Sequence, residues 1–147
     1  MTYVAPPVGM RRLKARLRAL PMHFAAACFT GALITDIVYS QTMQMMWTNF
    51  SAWLLFAGAV MGAVAFLAGT IDAVRGQLAL GNITGWLYGL CTLAVLAVAI
   101  LNSFVHSRDA WTSVMPHGLI LSAVTFLLML VASVLGARVN RLVWGGF

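Results

Sequence analysis

The stretch SAWLLFAGAVMGAVAFLAGTI, residues 51–71, carries no charged side chain from end to end. A helix rising 1.5 Å per residue needs about 20 residues to cross ~30 Å of hydrocarbon, and this stretch has that length. It lacks the alternation of apolar and polar residues that marks a barrel strand. Three runs of the same kind lie at about 20–40, 83–104 and 117–137. Four runs in one chain cannot close a barrel, and in lipid every backbone N–H and C=O must find a partner within the protein, which leaves helices. The expected fold is all-α: residues 20–147 as a four-transmembrane-helix bundle, preceded by a lead-in over 1–19.

Composition agrees. Of the 147 residues 62% are hydrophobic and 8% charged, far below the roughly 25% charged residues of soluble domains. Too few polar groups are present to cover a water-facing surface, so the solvent for most of the chain is lipid. Nine Lys/Arg stand against three Asp/Glu. These basic residues flank the apolar runs, as charges facing anionic headgroups do, and form no interleaved nucleic-acid surface. Cys28 and Cys91 lie alone inside apolar runs, with no CxxC or Cys/His spacing for zinc. Both are expected to be inert thiols.

The basic residues also set an expected orientation. Arg11, Arg12, Lys14, Arg16 and Arg18 precede the first run, Arg75 lies between the second and third, and Arg138 and Arg141 follow the fourth. These segments share one side of the membrane, and only Arg108 falls on the other. Such a bias places both termini in the cytoplasm, in the inner membrane of a bacterium. The sequence up to Cys28 loosely suggests a lipoprotein signal, but too few apolar residues separate Arg18 from that cysteine, so no cleavage is expected. Met10, Leu13, Leu17 and Leu20 recur at helical spacing among the basic residues. They predict a short amphipathic helix on the cytoplasmic surface, broken at Pro21, which would open the first span.

Small residues recur every four positions: Ala27/Gly31/Thr35, Gly58/Gly62, Gly81/Gly85/Gly89 and Ala132/Gly136. In lipid, helices associate through close backbone approach along such stripes. The plain expectation is packing within the bundle; the sharper one is that Gly58/Gly62 docks another subunit. Trp47, Trp53 and Trp111 on the outer side, with Trp86 and Trp144 on the inner, form an interfacial belt.

Ionisable residues inside a membrane are costly and mark candidate sites. His23, Asp72, Arg75 and Asn82 form a candidate inner cluster. Asp36, about 20 Å beyond His23 along the helix, falls toward the outer side with His106, Arg108, Asp109 and His117. An acid in apolar surroundings needs a partner. Arg108 is expected first, then His106 or His117, in a contact that pins the outer connection to the first helix. Asp72, Arg75, Asp36 and Arg108 are thus read as structural polar residues. His23, Asn82, His106 and His117 are the candidates for holding a cofactor.

Bis-histidine haem ligation requires two imidazoles at matched depth on facing helices. His23 has only Asn82 opposite it, His106 is expected in a loop, and His117, after Pro116, is expected to begin the fourth helix near the interface. No cofactor is therefore expected; His23 is expected to hydrogen-bond near the headgroups, to Asp72 or to a partner subunit. No GxSxG, phosphate-binding glycine loop or paired carboxylates are present, so the isolated chain is not expected to be an enzyme.

Pro21-Met-His23-Phe24 opens a helix carrying Asp36, Gly69-Thr-Ile-Asp72 closes the second, and Leu135-Gly136-Ala-Arg138-Val ends the fourth. This order resembles the bacterial domain-of-unknown-function family 2231, from about residue 20 to the end. The resemblance implies a four-helix membrane domain without an established activity. It also implies association with redox modules such as Rieske or quinoprotein dehydrogenase domains. Family members often carry a His near the start of the third helix, where this chain has Gly81-Asn82-Ile83-Thr84. That departure favours a structural partner over a haem carrier.

The leading expectation is a non-catalytic membrane subunit or anchor of a larger complex, respiratory or photosynthetic, whose partners are lipid and other protein subunits. A haem b- or quinone-binding electron-transfer module using His23 stands second. A small transporter or channel stands third, since the spans offer neither a broken helix nor polar residues at the midplane.

Overall fold

The computed structural model describes residues 8–74, 82–107 and 114–144, with side chains over 19–74, 82–107 and 114–139. The long helices are α1 (Val8–Thr42), α2 (Met45–Val74), α3 (Ile83–His106) and α4 (Leu119–Trp144), the last entered through an irregular turn, Val114–Gly118. Four segments, Ala19–Thr42, Met45–Val74, Ile83–His106 and Val114–Val139, are long and apolar enough to cross a membrane. The all-α, four-span expectation therefore stands.

Two boundaries differ from the sequence reading. The first helix does not break at Pro21 but runs straight through it. A proline there removes one N–H and one intrahelical bond, and membrane helices tolerate that loss when the ladder continues on both sides. The second helix begins at Met45, six residues before the charge-free stretch, because nothing in Met45-Met46-Trp47 interrupts a helix. Between α1 and α2 only Met43 and Gln44 are non-helical. Met43 adopts φ 53°, and its N–H donates to Tyr39 O at 2.8 Å. This is a left-handed helix cap of the kind glycine usually supplies.

The helices form a ring in sequence order. α1 lies mainly against α2 and α3 against α4, while α2–α3 and α1–α4 contacts close the circuit. At one end, the hydroxyl of Tyr88 in α3 meets Met22 Sδ of α1 at 3.5 Å, and the same ring lies over Gly136 of α4. At the other end, Asp36, Ser51, His106 and Ser122 converge from all four helices. Neighbouring helices are therefore antiparallel, and the start of the first span shares an end with the close of the fourth.

The core is small-residue packing. Ala25, Phe29, Ala32, Leu55, Val95 and Ala99 form its centre. On α2 the buried positions are Thr48, Ser51, Leu55 and Gly58, a single stripe at spacings of three and four. A Cβ on Gly58 would fall 2.6 Å from the ring of buried Phe29 and 3.1 Å from Cys28 Cβ. On Gly62 it would come within 3.4 Å of Leu96. The Gly58/Gly62 stripe is thus spent inside the bundle, seating α2 against α1 and α3. Trp53, Phe56, Leu67, Leu90, Leu101 and Phe104 point outward instead, the distribution expected where the surrounding medium is hydrocarbon.

Candidate functional site

The site is a polar cluster one to two turns inside the Asp36 end of the bundle. α1 turns the stripe Ala25, Cys28, Phe29, Ala32, Thr35, Asp36 and Tyr39 inward, and the helical period carries Asp36 onto that face with the apolar residues. Its side chain is wholly buried. Facing it, α2 contributes Ser51, α3 contributes Asn102 and His106, and α4 contributes Ser122, all buried.

Each carboxylate oxygen of Asp36 has its own partners. The Ser51 hydroxyl donates to Oδ1 at 2.5 Å, and His106 Nε2 lies 3.0 Å from the same oxygen. The Ser122 hydroxyl donates to Oδ2 at 2.5 Å. His106 is oriented from behind, with Nδ1 3.0 Å from the carbonyl of Asn102 one turn earlier. The Asn102 side-chain amide meets Ser122 Oγ at 2.7 Å and so closes the loop of contacts. The Asp36–His106 contact is the one acid–base side-chain contact within 4 Å among the described residues.

This arrangement follows local sequence rules. Asn102 and His106 are four residues apart and share a face of α3, as adjacent turns must. Thr48 and Ser51 likewise share the inward stripe of α2. Burying an acid in lipid is expensive unless its lone pairs are filled, and here three donors from three other helices fill them. Thr48 is the exception, since its buried Oγ1 has no hydrogen-bond partner. Its backbone position, one turn from Ser51, puts it between the cluster and the end of the bundle.

The expected sites divide accordingly. Asp36 does pair with the third helix, but through His106; Arg108, the partner expected first, lies outside the described residues, as do Asp109 and Arg75. His106 is not in a loop. It is the last residue of α3 and is buried, because Phe104 and Val105 carry the helix past the expected end at 104. His117 lies in the turn before α4 and is exposed; it makes no hydrogen bond to Asp36. At the opposite end His23 and Asn82 are exposed and Asp72 is half-buried. No hydrogen bond joins His23 to Asp72. Asn82 occupies the N-cap position of α3, but its side chain makes no capping bond. Among the described residues, no hydrogen bond joins His23, Asp72 and Asn82 to one another.

Ser51, Asn102 and Ser122 were not among the expected site residues. Short polar side chains are common in membrane helices, so none stands out singly. The available signal was register: Ser51 lies on one stripe with Leu55 and Gly58, and Asn102 one turn before His106. Cys28 and Cys91 are free thiols, and Cys91 Sγ donates to the carbonyl of Leu128 at 3.5 Å. Among the described residues no group of three metal-ligating side chains converges.

A ring of four antiparallel apolar helices closed around one buried acid defines a multi-span α-helical membrane protein. The family described as predicted membrane protein, domain of unknown function 2231, matches residues 17–144, and the chain belongs to that family. No curated protein and no solved structure matches it.

Proposed function

We propose that this protein is a non-catalytic membrane subunit or anchor of a larger bacterial assembly, held in the inner membrane with both termini in the cytoplasm. The observation that carries this reading is the engagement of Asp36 and His106. Both carboxylate oxygens and both ring nitrogens already face groups of the chain's own helices. A residue so occupied is a tie between helices and is not free to ligate iron or attack a substrate. The chain holds no cofactor by itself in this reading, and its partners are lipid and protein. The basic lead-in, with Arg11, Arg12, Lys14, Arg16 and Arg18, continues the first helix out of its span and is attracted to the anionic cytoplasmic headgroups.

Mild detergent extraction followed by native mass analysis tests the subunit role. A defined heteromeric complex is expected, with no haem absorption belonging to this chain. A protein that extracts as a lone homogeneous species and carries a Soret band would replace this reading with the electron-transfer one. In that case His23 or His117 would have to supply the ligand, because both are exposed. Reporter fusions after Phe147 and within 104–114 test the orientation; a C-terminus reporting from the periplasm would invert it.

A further inference from the structure

Two contacts fix how α1 and α4 lie alongside each other. At one end Ser122 meets Asp36. At the other, Met22 of α1 and Gly136 of α4 both lie against Tyr88. Met22 stands fourteen residues before Asp36, and Gly136 stands fourteen after Ser122. The two helices therefore keep one antiparallel register along the whole seam. Carried on toward the helix ends, that register sets Arg138 level with Leu20 and Arg141 level with Leu17. The backbone positions of Arg16, Arg18, Arg138 and Arg141 thus fall within about 6 Å of depth, at 1.5 Å per residue. α3 runs parallel to α1, and Trp86 precedes His106 by the same twenty residues by which Arg16 precedes Asp36. Trp86 is exposed, and an exposed tryptophan near a span end marks headgroup level.

The rest of the bundle does not match this edge. α3 carries no Lys, Arg, Asp or Glu. On α1 and α2 the pairs Asp36–Ser51, Phe29–Gly58 and Ala25–Gly62 keep step in the same way. Their register sets Asp72 level with Ala15, on the flank of α1 away from α4. The chain has three acids, and the other two, Asp36 and Asp109, belong to the far end. Charge sidedness asks only that cations lie on one side of the membrane. It does not ask that they gather on two neighbouring helices. Packed helices stand about 8–10 Å apart, so the α1–α4 edge collects four arginine positions with no acid on either helix at that end. Like charges so close repel unless they share an anion.

We propose that the cytoplasmic end of the α1–α4 edge binds an anionic phospholipid whose headgroup carries two phosphates, with one phosphate taken by Arg16 and Arg18 and the other by Arg138 and Arg141. Arginine engages phosphate oxygens through paired N–H donors, and basic sites between membrane helices on the cytoplasmic side take such headgroups. Val134 and Val131 stand one and two turns below Arg138 on the same face of α4, and both are exposed. They offer acyl chains an apolar stripe directly beneath the cations, which fits a lipid and not a soluble phosphate. The orientation proposed above decides only which leaflet supplies the lipid.

Native mass spectrometry of the full chain from nanodiscs tests this, because both leaflets then share one composition and orientation is immaterial. The discs contain phosphatidylcholine with either cardiolipin, which has two phosphates, or phosphatidylglycerol, which has one, at equal total charge. One cardiolipin is expected to stay with each chain, retained about tenfold over phosphatidylglycerol. Arg138→Gln/Arg141→Gln and Arg16→Gln/Arg18→Gln should each lower that retention about tenfold, the size of one lost charge-assisted hydrogen bond. Arg11→Gln/Arg12→Gln removes equal charge beyond the same depth and should change it by less than about twofold. Arg138→Lys/Arg141→Lys, which keeps the charge but loses the paired donors, should fall between. Equal retention of the two lipids, or equal loss from all three glutamine variants, would overturn the proposal by showing diffuse attraction. Release of the lipid by millimolar inorganic phosphate would overturn it in favour of a soluble anion. Retention of neither lipid would overturn it in favour of an acidic protein surface.

Discussion

His106 Nε2 stands 3.0 Å from Asp36 Oδ1, with both side chains wholly shielded and 70 positions of chain between them. The last turn of α3 is thereby fixed to the last third of α1, although these helices are not neighbours in the sequence. Ser122 approaches the other oxygen of the same carboxylate from α4. One acid thus holds three helices to its own.

Removing that acid should weaken the bundle according to what replaces it. Asp36→Asn keeps an acceptor, and the two serine hydroxyls can rotate to suit an amide, so a loss of about 1 kcal/mol is expected. Asp36→Leu leaves His106, Ser51 and Ser122 facing hydrocarbon. Interhelical hydrogen bonds in membranes average about 0.6 kcal/mol each, and a stranded buried partner costs more, so a loss of about 2–4 kcal/mol is expected. Reversible unfolding in mixed detergent micelles measures both, and equal effects would show that the hydrogen bonds do not matter.

Gly58 and Gly89 offer a matched pair. Gly58→Ala drives a methyl group into the Phe29 ring and should destabilise by about 1–3 kcal/mol. Gly89→Ala meets nothing within 4 Å and replaces a poor helix former with the best one. It should leave stability unchanged or raise it by about 0.5–1 kcal/mol. The same unfolding assay reads both, and a Gly58→Ala variant as stable as the parent would contradict the close α1–α2 seating.

Thr48 carries a hydroxyl that is buried with no partner. Thr48→Val keeps the shape and removes the polar atom, so stability should rise by about 1 kcal/mol. A loss of similar size would mean that the hydroxyl is bonded in the membrane and belongs to the Asp36 circuit.

Cys28 is buried in the α1 stripe, and the Cys91 thiol is turned toward the Leu128 carbonyl. Neither should react with a membrane-impermeant thiol reagent in intact cells, and mass spectrometry should find no Cys28–Cys91 bond. Rapid labelling of either residue would reveal a water path into the bundle.

The four spans were legible because hydrophobic length is a property of the chain alone: residues 51–71 announce a membrane helix before any partner is known. Asp36 was legible as an acid in need of a partner for the same reason. Which partner it takes depends on rotation about each helix axis, and that is set by contacts such as Gly58 on Phe29. Near-uniform apolarity hides this rotation, because in a membrane both the inward and the outward faces are hydrophobic. His106 was misplaced into a loop because the polar Ser107-Arg108-Asp109 that follows it masks the last two residues of the helix. Pro21 misled in the opposite sense, as a residue that breaks helices in water but is carried through in the bilayer.

The two-residue link at Met43 and Gln44 bears on how the protein is made. The hairpin of α1 and α2 is complete once Val74 has emerged, and it brings Ser51, 15 positions after Asp36, to the acid. At that moment the acid has one serine for company. His106 arrives 70 positions after Asp36 and Ser122 arrives 86 positions after it. During synthesis the unfinished chain therefore exposes an unsatisfied acid to the insertion machinery and to the lipid, and completion of the fourth helix conceals it. A chain cut short after Val74 would keep its hairpin and its hydrophobicity yet bear a permanent flaw at Asp36, a mark by which membrane proteases could tell a fragment from a finished molecule.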